Sequence, residues 1–341
     1  MSTNLTNSLV ERQNVLNNSY ALTEIQKATQ IKGVMFEAST RWTKDQIATY
    51  FEVDIRTIER YIEQNKPELE QNGYELIKGK RLKAFIEATR ADVTDINVGN
   101  ISPKTPILGI FDFRAYLNIA MMLTESEKAR LLRQAILDIV IDVINQRTGG
   151  GTKYINQRDE DFISAWFGEE NYRRQFTGAL RDCVDMGKLK YSIYTNKIYI
   201  SIFKEKANEY RKILNLQKSD KVRDTFYSEI LDLVASFEYG FAEMLQSECR
   251  RLDRKISSRE IDILYKAFEK QAHWKPLIDR ARNKIASRDL VFRDALHLQL
   301  EDYITPLQAG EFERFLGEKS KELAERLEEA KDVFQRLKER E

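Results

Sequence analysis

Few side chains in this 341-residue sequence have the type and spacing needed for covalent chemistry. The two histidines, His273 and His297, lie far from each other in sequence, and neither belongs to a His/Cys cluster with metal-ligand spacing. Both stand among aromatic or apolar neighbours and are better explained as packing or surface residues than as general bases. We therefore expect no catalytic residue, no metal site and no cofactor.

A glycine run at Gly149-Gly150-Gly151 precedes Thr152 and Lys153. Consecutive glycines allow backbone amides to surround an anion, but the phosphate-loop pattern needs four residues between its first Gly and a Gly-Lys-Ser/Thr triplet. Because Thr152 precedes Lys153, a loop after a helix is the better interpretation. Lys153 is then available to contact a nucleic-acid phosphate.

Three carboxylates, Asp159, Glu160 and Asp161, follow Arg158. A nuclease would need carboxylates that converge on Mg²⁺, but acids at the start of a helix also interact favourably with its dipole. An enzyme that acts on nucleic acid is therefore the least supported hypothesis for this chain. It requires metal-dependent cleavage that is lost when Asp159 or Asp161 is changed.

The segment from Lys44 to Glu63 predicts two helices joined by a tight turn. Thr43 and Gln46 match a capping box, Glu52-Val53 forms the turn, and Asp54 is a good N-cap for the second helix. Such a helix-turn-helix presents its second helix to the DNA major groove. Arg56 and Arg60 share one ridge of that helix, beside Thr57, and are the candidate base or phosphate contacts. A docking or purely structural three-helix unit is the alternative.

Two further groups of basic residues are candidate phosphate contacts. The run from Gly73 to Lys83 predicts a basic hairpin or wing, and the sixteen residues from Lys188 to Phe203 alternate as a hairpin that turns at Thr195-Asn196. The first group comprises Lys78, Lys80, Arg81 and Lys83. The second, a possible second basic surface, comprises Lys153, Arg158, Arg173, Arg174, Lys188 and Lys190.

Composition gives no global electrostatic case for nucleic-acid binding, because the formal net charge is only +1. Two regions are modestly basic: Glu169 to Asp224 holds thirteen Lys/Arg against eight Asp/Glu, and Glu248 to Arg293 holds thirteen against seven. The two cysteines, Cys183 and Cys249, are far apart in sequence, so no disulfide framework is indicated. No signal sequence and no long apolar run is present, and we expect a cytoplasmic protein that does not contact a membrane.

The expected fold is mainly α with small β-hairpins. A polar tail (1–22) precedes a helix-turn-helix domain, possibly winged (23–95), a linker (96–106), an α+β middle domain (107–215) and a helical domain (216–341). The last domain ends in a helix with a heptad seam, which could pair with a second copy in a homodimer. The seam residues are Leu316, Ser320, Leu323, Leu327, Ala330, Phe334 and Leu337.

Residues 41 to 210 also carry a family resemblance. The run FDFRAYLNIAMMLTESEKARLLRQAILDIVIDVINQRTGGG resembles the core of Bro and KilA-like phage proteins and of RhuM-type bacterial proteins, and the run beginning WTKDQIATYF is similar to the RhuM-like N-terminal helix-turn-helix. A third run, from KYINQRDEDF to IYISIF, is similar to bacterial proteins labelled simply as DNA-binding, which are sometimes found near Fic/Doc toxins. The Fic signature itself is absent, since His297 is followed by Leu-Gln-Leu-Glu.

The resemblance implies a cytoplasmic, non-enzymatic protein that binds double-stranded DNA as a regulator linked to mobile elements or defence. The alternative is a protein-interaction component of a toxin–antitoxin or phage-defence assembly, in which the helical C-terminal half binds a protein partner. Activity that survives removal of residues 1 to 95 would favour that alternative.

Overall fold

Helices account for most of the chain in the computed structural model, which describes residues 4–29, 31–91 and 105–317. The expectation of a mainly α protein with a small β component is confirmed. The chain forms two units, Met1–Val143 and Ile144–Glu341.

The first unit combines helices with an antiparallel sheet, and its described residues supply four strands in the order β1-β2-β4-β3. Its core surrounds Trp42, Phe51, Phe111 and Tyr116, all of which are buried. Its elements are α1 (Leu9–Asn17), α2 (Ser19–Thr29), β1 (Val34–Phe36), β2 (Ser39–Thr43), α3 (Lys44–Phe51), α4 (Ile55–Gln64), α5 (Lys66–Gln71), β3 (Tyr74–Lys78), α6 (Gly79–Ala91), β4 (Ile107–Phe111), α7 (Phe113–Met122) and α8 (Glu127–Arg147), whose last residues pass the unit boundary.

The predicted polar tail over residues 1–22 is wrong. Leu5 and Leu16 are buried in the core of the first unit, and the guanidinium of Arg12 forms an ion pair with Glu68 at 2.8 Å. Ser8 caps α1 by accepting a hydrogen bond from the backbone of Glu11. Three polar side chains of α1, Arg12, Gln13 and Asn14, are themselves buried, so the polar composition of this segment gave no sign of its packing.

The predicted basic hairpin over residues 73–83 is also wrong. Only β3 is a strand, and its partner is β4, with Tyr74 opposite Phe111 and Lys78 opposite Ile107. Gly79, at φ +60°, ends the strand and begins α6. Lys80, Arg81 and Lys83 therefore lie on a helix, and the wing beside the helix pair is not formed by this segment.

The predicted division of the chain at residues 96–106 does not separate two units. Residues 92–104 lie outside the described ranges, but β4, directly after them, pairs with both β2 and β3. The segment from Ile107 to Val143 thus completes the first unit instead of opening a middle domain. A local composition shift cannot reveal a strand that returns to an earlier sheet.

The regular structure in the described residues of the second unit consists of helices, apart from one isolated β-bridge. Its α-helices are α9 (Phe162–Cys183), α10 (Leu189–Phe203), α11 (Ala207–Ile213), α12 (Ser228–Leu252), α13 (Ser258–Glu269), α14 (Trp274–Arg293) and α15 (Ala309–Leu316), with short 3-10 helices at Ile155–Arg158, Val222–Thr225 and Leu298–Tyr303. Its predicted heptad helix begins at Leu316, the last residue of α15, and the rest of that seam lies outside the described residues.

Residues 188–203, predicted as a hairpin, form the helix α10. Tyr194, Ile198 and Ile202 are buried at steps of four residues, which is the spacing of one helix face. Apolar and polar residues in this segment also alternate as they do in a strand, so periodicity alone could not distinguish a helix from a hairpin.

Helices α9 and α12 lie side by side along much of their length. Rings of Tyr172 and Tyr239 are 5.2 Å apart, and those of Phe176 and Phe241 are 6.4 Å apart. Contacts that advance in the same direction along both helices show that the two run parallel.

Buried ion pairs connect further elements of the second unit. Arg288, with a fully buried side chain, donates to Glu229 at 2.7 and 2.9 Å and to Glu311 at 2.6 Å. His297, also fully buried, lies between Glu205 at 2.9 Å and Asp289 at 2.7 Å. Buried charges are tolerated when paired in this way.

Candidate nucleic-acid interface

The helix-turn-helix begins where β2 passes into α3. The Thr43 hydroxyl accepts from the backbone N–H of Gln46 at 3.3 Å, and the Gln46 side chain accepts from the backbone N–H of Thr43 at 2.8 Å. This reciprocal capping box, predicted from the sequence, is confirmed. Ile47, Ala48 and Phe51 are buried and fix α3 against the core.

The turn to the second helix is tight and includes a left-handed residue. Glu52 has φ 54° and ψ 46°, and the backbone N–H of Val53 donates to the Ala48 carbonyl at 3.0 Å. A side chain in this conformation costs about 1–2 kcal/mol, which is why glycine is common there. Asp54 then caps α4 by accepting from the backbone N–H of Arg56 at 2.8 Å, and Ile58 is buried beneath the helix. Both helices and the turn are therefore present as predicted.

The start of α8 braces this turn. The Ser126 hydroxyl donates to the Phe51 carbonyl at 2.7 Å and accepts from the Ala129 backbone N–H at 3.1 Å, so one side chain serves the end of α3 and the start of α8. Lys128 forms an ion pair with Glu52 at 2.8 Å. Ser126 therefore provides the N-terminal cap of α8. These tertiary contacts give no periodic signal, and sequence reasoning missed them.

The outward face of α4 carries the predicted recognition residues. Arg56 is exposed and Thr57 is half-buried in the first turn of the helix. In the part of the chain that the structure describes, the Arg56 side chain makes no hydrogen bond or ion pair. It lies where recognition helices place the side chains that contact base edges.

Arg60, one turn later, is already engaged. Its guanidinium forms an ion pair with Glu125, whose other oxygen accepts from the Tyr61 hydroxyl at 2.9 Å. The side chains of Arg60 and Glu125 are 50% and 41% exposed, so the pair is solvated and worth only about 0.2–1 kcal/mol. On the neighbouring ridge Glu59 pairs with Lys44, which joins α4 to the first residue of α3.

The predicted phosphate contacts after Gly73 differ in their availability. Lys78, Lys80 and Lys83 are exposed, and among the described residues their side chains make no ion pair. Arg81 is instead held by Glu37 and Glu75, at 2.6 and 2.9 Å. Those hydrogen bonds raise the pKa of Arg81, but an arginine is charged at any working pH, so their effect is to neutralise it locally.

Only some residues of the predicted second basic surface are exposed. Lys190 is buried, and its ammonium donates to the Val184 carbonyl at 2.9 Å. Lys153 pairs with Asp220 at 2.9 Å, and Arg158 donates to the Arg147 carbonyl. Arg174 and Lys188 are exposed and Arg173 is half-buried. Lys188 and Lys190 do not project from one face, because they lie at the start of the helix α10 and not on a strand.

No protein-family model, curated protein or solved structure matches the chain. The resemblance to Bro, KilA-like and RhuM-type proteins stays a prediction. Across the described ranges, no helix combines the length and apolar character needed to cross a membrane.

Proposed function

We propose that this protein binds double-stranded DNA through α4, with Arg56 and Thr57 facing the base edges of the major groove. The observation that carries the proposal is a capped, braced helix-turn-helix whose second helix leaves Arg56 exposed in its first turn and, among the described residues, without a partner. An arginine in that position can donate two hydrogen bonds to a guanine. In this proposal Lys78, Lys80 and Lys83 contact phosphates.

The charge of the surrounding segment limits how such binding works. Residues 31–91 hold eleven Lys/Arg and ten Asp/Glu, so they attract a polyanion only weakly. Each lysine that contacts a phosphate contributes about −0.9 to the slope of log K against log salt. Three such contacts give a slope of roughly −3, which is modest for a DNA-binding protein. Affinity for a preferred site must then come largely from base contacts.

The test begins with selection from a random duplex library, followed by fluorescence anisotropy on the selected site and on a scrambled duplex. Arg56→Gln is expected to weaken binding to the selected site by about 1–3 kcal/mol, with little effect on the scrambled duplex. Lys80→Gln is expected to weaken both equally and to reduce the salt slope by about 0.9.

Arg130→Gln is the matched control, because Arg130 is an exposed arginine of the first unit that pairs locally with Glu127. It should leave binding unchanged. Equal losses on both duplexes for Arg56→Gln would show that α4 is not the recognition helix. Failure of the full-length protein to retain any duplex at low salt would overturn the proposal and favour a protein-interaction role.

The resemblance of residues 41–210 suggests the context, which we propose is regulation linked to a mobile element or a defence locus in the cytoplasm. A homodimer would suit a palindromic site, since half-sites one helical turn apart mirror a two-fold axis. Palindromy among the selected sequences would support that arrangement.

A further inference from the structure

The second unit brings together the only two cysteines of the chain, Cys183 and Cys249. They lie 66 positions apart in sequence, on the parallel helices α9 and α12. The ring contacts between Tyr172 and Tyr239 and between Phe176 and Phe241 have offsets of 67 and 65. The cysteine pair continues this register, so the packing of the two helices places the cysteines side by side.

A short β-bridge fixes the helix ends at which the cysteines lie. The backbone N–H of Ile256 donates to the Cys183 carbonyl at 2.7 Å, and the backbone N–H of Asp185 donates to the Ile256 carbonyl at 2.9 Å. Val184 and Ile256 form the bridge itself. The chain leaving α12 is thus bonded directly to the end of α9, which restrains any separation of the two cysteines.

The two thiols differ in their access to solvent. A groove of about 410 Å³ between α9 and α12 is lined by both cysteines, together with polar side chains that include Gln175, Gln246 and Arg250. Cys183 is buried, whereas Cys249 is half-buried and can be reached from the groove. Burial, with a smaller contribution from the neighbouring Cys249 thiol, raises the pKa of Cys183. Cys249 is therefore the thiol that a reagent meets first.

We propose that Cys183 and Cys249 form a reversible intramolecular disulfide by exchange with small-molecule disulfides such as glutathione disulfide. The Cys249 thiolate attacks one sulfur of glutathione disulfide; the old S–S bond breaks and one glutathione thiolate leaves. The Cys183 thiol loses its proton to solvent and attacks the Cys249 sulfur, which releases the second glutathione. The protein loses two electrons and two protons, and glutathione disulfide is reduced to two glutathione molecules.

The test uses the full-length protein in glutathione redox buffers, with acid quenching, alkylation of free thiols and intact-mass measurement. Both thiols should be lost together. The intact mass should be that of a monomer with one internal disulfide, without a protein–protein cross-link. Native packing raises the effective concentration of one thiol at the other. The folded protein should therefore be half-oxidised at a glutathione-disulfide level at least about tenfold below that needed in guanidinium, where the long intervening loop must close unaided.

Single variants separate the two steps. Cys183→Ser should accumulate the mixed disulfide of Cys249 with glutathione, whereas Cys249→Ser should leave the buried Cys183 thiol largely unmodified. Far-ultraviolet circular dichroism checks that both variants are folded. A stable mixed disulfide on the unmodified sequence, two thiols that oxidise independently, or equal oxidation of folded and unfolded protein would each overturn the proposal.

Discussion

His297 is predicted to make the stability of the protein fall as pH rises above neutrality. Burial alone would lower the pKa of His297, but hydrogen bonds and charge attraction from Asp289 and Glu205 outweigh it and raise that pKa to about 9, against an ordinary value of 6.5. A group whose pKa is higher in the folded state stabilises the fold below its unfolded pKa, and that stability is lost as pH rises through the folded pKa. The relevant window therefore runs from about pH 6.5 to about pH 9.

The magnitude follows from the difference between a pKa of about 9 for His297 in the folded protein and 6.5 in the unfolded protein. At 1.36 kcal/mol per unit, protonated His297 contributes at most about 3 kcal/mol to the free energy of unfolding at pH 6, and almost none of this remains above pH 9. The side chains of His297 and Asp289 are fully buried, so solvent screening does not reduce the figure greatly. The pKa of Asp289 is lowered, so its own contribution is lost only in acid and does not vary across this window.

Urea unfolding at a series of pH values would measure this contribution in the unmodified protein and in His297→Gln. The variant should be less stable at pH 6, because Glu205 loses its cationic partner and Asp289 keeps only Arg293, and the difference in unfolding free energy should shrink as pH rises to 9. His273→Gln is the control, since His273 is exposed. A stability difference between the unmodified protein and His297→Gln that is the same at pH 6 and pH 9 would refute the reasoning.

Two further outcomes follow from the ion pairs. Glu125→Gln should free Arg60 and remove a negative charge beside α4. It should therefore strengthen binding to a selected duplex by up to about 1 kcal/mol, the upper value for an exposed ion pair. Anisotropy titrations should show no such gain for the control Glu127→Gln, which lies two residues away. Arg288→Leu should lower the free energy of unfolding by about 3 kcal/mol, the lower end for removing one partner of a buried pair, because Glu229 and Glu311 keep only Arg314 at 3.6 Å and Lys284 at 2.6 Å. Chemical denaturation would measure that loss, and a loss below about 1 kcal/mol would mean that these remaining partners suffice for both carboxylates.

Local signals explain why the helix-turn-helix could be read from the sequence. The capping box at Thr43 and Gln46 and the cap at Asp54 involve residues at most three positions apart, and the spacing that buries Ile47, Phe51 and Ile58 is set within two helices. Such short-range features are fully visible in a linear sequence. The positions of the candidate recognition residues Arg56 and Thr57 on the second helix could therefore also be predicted from the sequence.

Long-range pairing explains what could not be predicted. The strand β3 finds its partner in β4, beyond a stretch of polar residues, and nothing in the run from Tyr74 to Lys78 specifies that choice. The alternating residues of α10 fit a strand as well as a helix, and the segment is a helix because other helices bury Tyr194 and Ile198 on one face. Likewise Ser126 meets Phe51 across 75 positions of sequence, so its role in bracing the turn leaves no local trace.

The sequence balances 55 Lys/Arg against 54 Asp/Glu, and ion pairing decides which of the basic side chains stay available to a ligand. Arg60 and Arg81 each have a carboxylate partner, so neither adds a free charge to the surface of the first unit. Arg56 has no such partner among the described residues. Nonspecific attraction scales with the number of unpaired cations, whereas base readout requires one arginine held at the correct place. If the proposed DNA binding is correct, this surface should bind random DNA weakly, and the first turn of α4 should determine most of the sequence preference.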